Sequence, residues 1–426
     1  MNIKKSIKNL APAFLLNFYH YGLALIGTVV FWFPGNKLIV IGVTGTSGKS
    51  TTVDFITKIL EENGNSVASL SSIRFKIKAK EWKNELKMTM PGRFMIHKFL
   101  REAVNEKCQY AVLEVTSEGI KQYRHKFINF NTVVFTNLSP EHIESHGGFE
   151  NYRNEKFKLF KATKNIHIIN IADDNAQYFW DISAKEKIGF KLKTQNSKLK
   201  NTTQDSKIIE ADNVEIIKDG LLFKIQDTRF NISLMGEFNI YNTLAAISVG
   251  LSQGISLEIC KKALEKVRGI FGRMEIVSKN PLIIVDYAHT PEQLEQVYKS
   301  LPGKNLVCVF GSCGGGRDKW KRPVLGKIAE QYCKEIIITN EDPYDEDPLE
   351  IMEQIASGIN NRDYHIVLDR KEAIKKALGL SKDENTVIIT GKGSEVWMCV
   401  DGGRKIPWSD KEIIKEEILL KNKKYV

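Results

Sequence analysis

Gly42-Val43-Thr44-Gly45-Thr46-Ser47-Gly48-Lys49-Ser50-Thr51 decides the fold, because of what stands on either side of it. Before it, Leu38 to Val43 is an apolar run fit for a buried strand; after it, Val53, Ile56 and Leu60 recur at helical spacing, and Gly64 falls where a helix would be capped. Strand, glycine loop and helix in that order are the context of a phosphate-binding loop. Its glycines let backbone N–H groups turn inward on phosphate oxygens, Lys49 supplies a point charge to the β- and γ-phosphates, and the Ser50 hydroxyl can ligate Mg²⁺. The general spacing GxxxxGK[ST] would put its first glycine at position 43, which is Val43; the glycines here are Gly42 and Gly45. A GK[ST] triplet can occur in an empty surface loop, and it is the flanking elements that make this one a nucleotide site.

Outward from the loop, the pattern alternates strand and helix, which predicts a doubly wound parallel α/β sheet. Tyr110 to Val115, Thr132 to Thr136 and Ile166 to Ile171 read as further buried strands, each running into polar residues where such a sheet builds its site. Residues Lys191 to Ser206 are polar and read as a loop leading into a β-rich stretch that ends near Leu234. A second α/β series has predicted strands at Leu282 to Val285, Leu306 to Phe310, Glu335 to Thr339, His365 to Leu368 and Thr386 to Thr390. This gives a short segment 1–35, a P-loop domain 36–271 and a second Rossmann-like α/β domain 272–426. No internal repeat or coiled-coil heptad stands out.

Composition narrows the function. A chain of 426 residues exceeds one ordinary core, and 42% hydrophobic with 27% charged residues excludes wholesale disorder. The formal charge of +11 favours an anionic partner: nucleotide, phosphorylated substrate, nucleic acid or anionic membrane. Six scattered cysteines with no CxxC pair predict reduced thiols and no structural metal. At the amino terminus, Leu10 to Pro34 carries no charged side chain and follows Lys4, Lys5 and Lys8. Pro12, Asn17, His20 and Tyr21 interrupt it, and no small-residue cleavage site follows. A spanning helix, an interfacial helix with membrane-surface contact through residues 10–34, and a helix packed on the first domain are the three readings; in each, the nucleotide-binding body is expected to be cytoplasmic.

With Thr46-Ser47-Gly48-Lys49-Ser50-Thr51 in hand, a series of downstream segments falls into one order. They are Glu114-Val115-Thr116-Ser117-Glu118-Gly119, Asn137-Leu138-Ser139-Pro140-Glu141-His142, His146-Gly147, Gly236-Glu237-Phe238-Asn239 with Asn242, Gly272-Arg273-Met274-Glu275, Asp286-Tyr287-Ala288-His289-Thr290-Pro291 and Gly391-Lys392-Gly393-Ser394-Glu395. In this order and spacing the chain resembles the Mur ligase family, most closely its UDP-N-acetylmuramoyl-tripeptide synthetases, from about residue 36 to 410.

The resemblance implies an ATP-dependent ligase that adds an amino acid to a UDP-muramoyl-dipeptide-like carboxylate through an acyl-phosphate, in peptidoglycan precursor synthesis, with ATP and Mg²⁺. It implies that Gly45, Thr46, Ser47, Gly48, Lys49, Ser50, Thr51, Asn239, Asn242, Arg273, Asp286 and His289 hold ATP, and that Ser50, Glu114, His142 and Lys156 serve the metal. Lys49, Lys156 and His142 are the expected catalytic groups, with Lys156 carbamylated on its amine. Thr89, Thr116, Gln122 and Arg124 are expected on the muramoyl peptide, and Asp342, Tyr344, Gly391 and Glu395 on the incoming amino acid. The residues by themselves agree in part: Glu114 ends one buried strand and His142 follows another, so a carboxylate and an imidazole can converge beside the phosphate loop. Taken alone, they would be a solvated strand end and a loop histidine.

Three departures bear on specificity. The family's Thr-Thr-Pro reads Thr89-Met90-Pro91, which removes one hydroxyl. Its Asp/Asn-Pro-Arg segment reads Asp342-Pro343-Tyr344, and Tyr344 cannot pair with the second carboxylate of diaminopimelate, so lysine or another diamine is expected instead. The strand feeding the phosphate loop starts near residue 38, leaving no room before it for the family's UDP-binding domain. Gly311 to Arg317 is expected to be a tight loop rather than a second phosphate site. A folylpolyglutamate or poly-γ-glutamate type of amide ligase and a non-catalytic membrane-associated nucleotide-binding protein are the rival readings. A nucleotide kinase or GTPase leaves the second domain unexplained, and nothing calls for nucleic acid.

Overall fold

The computed structural model describes residues 13–424 apart from 87, 201–205, 218–219, 302–304 and 382–384. Two sheets organise the chain. The first has eleven strands, and strand Ile39–Thr44 lies inside it between Tyr110–Glu114 and Phe130–Phe135, parallel to both. The parallel order continues through Val67–Leu70 on one side and through Ile166–Asn170, Glu186–Leu192 and Lys207–Ile217 on the other. Antiparallel strands close both edges: Arg74–Ile77 with Lys80–Lys83, and Gly220–Ile225 with Thr228–Ile232.

The apolar run before the phosphate loop becomes a central strand because both its faces are buried. Ile41 and Val43 pack with Val53, Phe55 and Ile56 of helix Lys49–Glu62 and with Ile240 and Leu244 of helix Phe238–Ser252. Val40 turns the other way, into a core shared with Ile96 and Leu100 of helix Arg93–Asn105 and Tyr152 and Phe160 of helix Phe149–Ala162. Each such side chain contributes roughly 1.5–3 kcal/mol by leaving water, so the strand cannot shift register by one residue without exchanging its two cores.

The second sheet has six strands in the order Glu275–Lys279, Leu282–Val285, Thr386–Ile389, Leu306–Phe310, Cys333–Thr339 and Tyr364–Val367, parallel except for the first. It too is buried on both faces: Ile284, Cys308 and Ile336 in one core, Ile283, Val307 and Ile337 in the other. Between the sheets, Ile270 packs into the first core and Met274 into one of the cores of the second. The buried pair Arg370 and Asp410, joined by two hydrogen bonds of 2.9 and 2.8 Å, ties helix Arg370–Leu380 to helix Asp410–Lys424.

Two sequence-based expectations are corrected or narrowed here. Cys308 and Cys333 form a disulfide, so the six cysteines are not all free thiols. The pairing arises from strand order: Leu306–Phe310 and Cys333–Thr339 are parallel neighbours, which brings the two Cα atoms to 6.0 Å across 25 residues of sequence. At the amino terminus, Ala13–Val30 is a helix packed along Arg93–Asn105, with Ala24 and Thr28 buried; among the described residues no helix is long and apolar enough to cross a membrane. Residues 191 and 192 belong to a strand, and the polar stretch after them is a loop as far as it is described.

Candidate active site

One cleft of about 990 Å³ runs between the two sheets, and the phosphate loop lies in its wall. The loop's two positive-φ glycines are there for contact reasons. A Cβ on Gly45 (φ +154°) would fall 1.9 Å from the Thr136 hydroxyl, and one on Gly48 (φ +78°) 2.2 Å from Asn242 Oδ1. Backbone and side-chain bonds fix the turn: Thr46 N donates to Asn137 O at 2.9 Å, Ser47 N to Asn137 Oδ1 at 2.8 Å, and Thr136 Oγ1 to Ser47 O at 2.7 Å. Lys49 Nζ folds back to donate to Thr46 O at 2.7 Å, where it waits over the loop. Val43, the residue that breaks the general spacing, is a buried strand residue and has no part in the turn.

Ser50 and Glu114 meet as the sequence suggests. Ser50 Oγ donates to Glu114 Oε2 at 2.7 Å, and Ser72, which sequence reasoning passed over, adds its N–H to the same oxygen at 2.9 Å. Arg273 reaches across from the second domain to donate to Ser72 Oγ at 3.2 Å and stacks 4.2 Å over the Tyr287 ring. His142 lies beside other partners: Glu141 at 3.7 Å and Arg317 at 3.3 Å. Burial pushes its pKa down to about 4 against the pull of Glu141, so the imidazole is neutral above that pH. Glu141 in turn accepts from His289 Nε2 at 2.9 Å, which makes it a bridge between the domains that the motif contained but the reading did not assign.

Lys156 lies behind the loop rather than on the cleft wall. It is 1% exposed, donates to Gly45 O at 2.8 Å and sits 4.6 Å from the Tyr152 ring centroid. Burial first, and the charge of Lys49 second, push its pKa well below the usual lysine range. The shift favours the neutral amine, the form a carbamylation needs.

The nucleotide-side residues of the second domain close over the loop. Gln293 donates to Ser47 Oγ at 2.9 Å and Lys321 to His289 O at 3.0 Å. Asn239 donates to Met235 O at 2.7 Å and receives Asn242 Nδ2 at 2.9 Å. Asp286 turns both carboxylate oxygens on backbone N–H groups, of Met274 at 2.7 Å and Ala288 at 2.6 Å, so it shapes the wall from within. Gly311 to Arg317 is a packed loop: a Cβ on Gly311 would meet Thr339 O at 2.4 Å, and Gly315 leaves room for the Tyr344 ring. It delivers Arg317 to the cleft, and the following Asp318 accepts the N–H groups of Ile143 at 3.2 Å and Glu144 at 2.9 Å.

The two ends of the cleft differ in charge. At one, Arg124 donates to Gln122 Oε1 at 2.8 Å and to Met90 O; Arg93, another residue the sequence did not flag, donates to Gln122 O at 2.8 Å. Thr89 lines this end, while Thr116 spends its hydroxyl capping helix Ser117–Lys121. At the other end Lys392 is buried among Asp342 (2.8 Å) and Glu395 (2.5 Å), and Asp342 also accepts Cys399 N at 2.7 Å. Asp342 is therefore a structural anchor. Its neighbour Glu341 lines the cleft but is only 2% exposed: Oε1 accepts from Cys313 Sγ at 3.2 Å, while the buried Oε2 has no hydrogen-bond partner and lies 1.9 Å from where a Cβ on Gly391 would be.

A phosphate loop, a carboxylate on its serine, a buried lysine behind it and a second α/β domain reaching over it coincide with two known domain families. The Mur ligase middle domain matches residues 43–250, and the Mur ligase, glutamate ligase domain matches residues 272–393. The chain belongs to the Mur ligase family. It is thus an ATP-dependent, amide-bond-forming ligase of a family that builds peptidoglycan precursors.

Among its relatives, the UDP-N-acetylmuramoyl-L-alanyl-D-glutamate--2,6-diaminopimelate ligase of Syntrophomonas wolfei is 35% identical over 410 residues, which is 92% of this chain and 81% of that protein. The Aquifex aeolicus protein of the same name is 34% identical over 420 residues, 97% of this chain and 84% of the other. A solved structure of a UDP-N-acetylmuramoyl-L-alanyl-D-glutamate--2,6-diaminopimelate ligase superposes with a TM-score of 0.59 at 26% identity, covering 90% of this chain and 79% of that one. The folylpolyglutamate synthase of Mycobacterium tuberculosis shares the fold, with a TM-score of 0.68 at 14% identity over 93% of this chain and 94% of the other.

Proposed function

We propose that this Mur ligase joins a cationic amino acid to the free carboxylate of a UDP-muramoyl-dipeptide-like acceptor. The observation that carries this reading is the cleft itself, with a phosphate loop between a basic end at Lys121 and Arg124 and an acidic end at Glu341. An anionic acceptor suits the first and an amine the second. Bond making takes place between them: an acceptor carboxylate oxygen attacks the γ-phosphorus of ATP, ADP leaves, the amine attacks the acyl-phosphate carbon, and phosphate is expelled as the amide forms.

The chain's residues set up this sequence. The backbone N–H groups of Gly48 and Lys49 and the Lys49 ammonium hold the phosphoryl group that moves, while those of Thr46 and Ser47 fix the loop on Asn137. Ser50 and Glu114 offer the hard oxygen donors that Mg²⁺ takes, and the ion, when bound, neutralises charge on the phosphates. Among the described residues no group of three His, Cys, Asp or Glu gathers as a metal site, so a hydroxyl, a carboxylate and the nucleotide's own oxygens suit the ion better than a preformed cage. His142 and a carbamylated Lys156 complete the proposed metal surroundings. The buried amine, with its pKa lowered, supports the modification, because an ammonium would repel the cation and a carbamate would attract it.

For the amino acid, Glu341 favours a side-chain ammonium, and Tyr344 offers no charge to a second carboxylate. The relatives carry diaminopimelate in their names; the acidic wall here supports lysine or another diamine. The test is phosphate release and product mass from purified protein given ATP, UDP-muramoyl-dipeptide and a panel of amino acids. Amide formation with lysine is the expected product. Glutamate addition to a folate in the same assay, with none to the muramoyl peptide, would replace this reading.

A further inference from the structure

Helix Ala13–Val30 contains no charged side chain and is mostly apolar, and apolar helix surface belongs where it is covered. Among the described residues, protein covers only one side of it. Ala24 and Thr28 face helix Arg93–Asn105, Arg101 donates to the helix-end carbonyls of Phe31 and Trp32, and Tyr21 packs edge-on against Tyr123 and Phe127. On the open side, Phe18 is 78% exposed and Trp32 76%, with Ile26 and Val29 about half exposed. The patch does not stop at the helix: Phe31 packs on Phe94, and Phe94 and Met95 continue it as exposed apolar side chains. Contiguous apolar surface on this scale marks an interaction site.

The chemistry around the patch says what covers it. Its rim is aromatic, with Tyr19, Trp32 and Phe33 exposed at the two ends of the helix, and such rings settle at a boundary between hydrocarbon and water. Cations stand beside it, Lys37 on the turn after the helix and Lys98 and Arg101 on the helix below, and the sequence before the helix contains Lys4, Lys5 and Lys8. Glu102 is an acidic neighbour, and it lies 3.9 Å from Lys98. With a net charge of +11, the complement is an apolar layer under a negatively charged surface.

We propose that this face docks on an anionic lipid bilayer. The docked helix adjoins the basic end of the cleft, since His20 hydrogen-bonds Arg93 and Arg93 donates to Gln122. Docking therefore turns the acceptor end of the site toward the membrane, a consequence that rests on the function proposed above, whereas docking itself does not.

The test is co-sedimentation of the full chain with vesicles of phosphatidylcholine alone or with a third phosphatidylglycerol. Binding is expected on the anionic vesicles, at least tenfold weaker on the neutral ones, and weakened by 0.5 M NaCl. Phe18→Glu with Trp32→Glu, both at exposed positions, is expected to reduce the bound fraction at least tenfold while ATP turnover is kept. Lys49→Ala is expected to sediment like the parent, which separates failure of docking from failure of the ligase reading. No sedimentation on either vesicle overturns the proposal, as does binding that the paired substitution leaves unchanged. A dimer in sedimentation velocity that the same pair disperses would assign the face to a second copy of the chain and overturn it too.

Discussion

Replacing Lys156 by methionine tests the centre of the site through a proton balance. In the unfolded chain the amine titrates near 10.4; in the folded protein burial and Lys49 lower its pKa well below that. Between the two values the unfolded state holds one proton more than the native state. Stability therefore rises with pH across that window, by up to about 1.4 kcal/mol per pH unit. Below the folded pKa both states are protonated and the slope vanishes, with the full penalty present; above the unfolded pKa the penalty is gone. Methionine keeps most of the buried volume and removes the titration, at the constant cost of leaving the Gly45 carbonyl without its donor, about 1–3 kcal/mol. Urea midpoints of parent and variant, taken at pH 7.5, 8.5 and 9.5 in bicarbonate-free buffer, should separate progressively in the parent's favour. A gap that stays constant over this range would count against a lysine pKa lowered in the folded protein. In activity, Lys156→Ala should lose turnover and regain part of it with formate or acetate; turnover equal to the parent without added carboxylate would end the carbamate assignment.

Lys49→Ala should lower kcat on the order of 10²-fold or more with an unchanged unfolding midpoint, because the ammonium's bond in the free protein is to the Thr46 carbonyl and its charge acts on phosphate. Arg370→Met should destabilise the second domain by about 3–5 kcal/mol, since Asp410 would be left buried and unpaired; Arg370→Met with Asp410→Leu should recover most of it in the same denaturation assay, and failure to recover would mean that the Arg370 bond to the Thr390 carbonyl dominates. Glu341→Gln should raise KM for lysine about tenfold or more while leaving KM for ATP in place. An unchanged lysine-to-diaminopimelate ratio in a competition assay would remove Glu341 from amino-acid selection.

The sequence by itself determined the parts of this protein whose signal is local. Leu38 to Val43 read as a buried strand, the glycines and Lys49 between that strand and a helix read as a phosphate loop, and Glu114 and Ser50 each end or begin an element that a parallel sheet brings to one edge. The short strands Val67–Leu70, Arg74–Ile77 and Lys80–Lys83 were not legible, because four residues carry too little periodicity and the edge pair is held by its neighbours. Tertiary structure alone decided what depends on distant segments meeting. It paired Cys308 with Cys333 through strand order, placed Lys156 behind the Gly45 carbonyl where burial lowers its pKa, and made Glu141 a bridge to His289. It also left one oxygen of Glu341 without a hydrogen bond beside an Asp342 already held by Lys392, a difference between adjacent carboxylates that no spacing encodes. Burial and pairing are properties of the whole packed chain, whereas strand, loop and helix are written in a few consecutive residues.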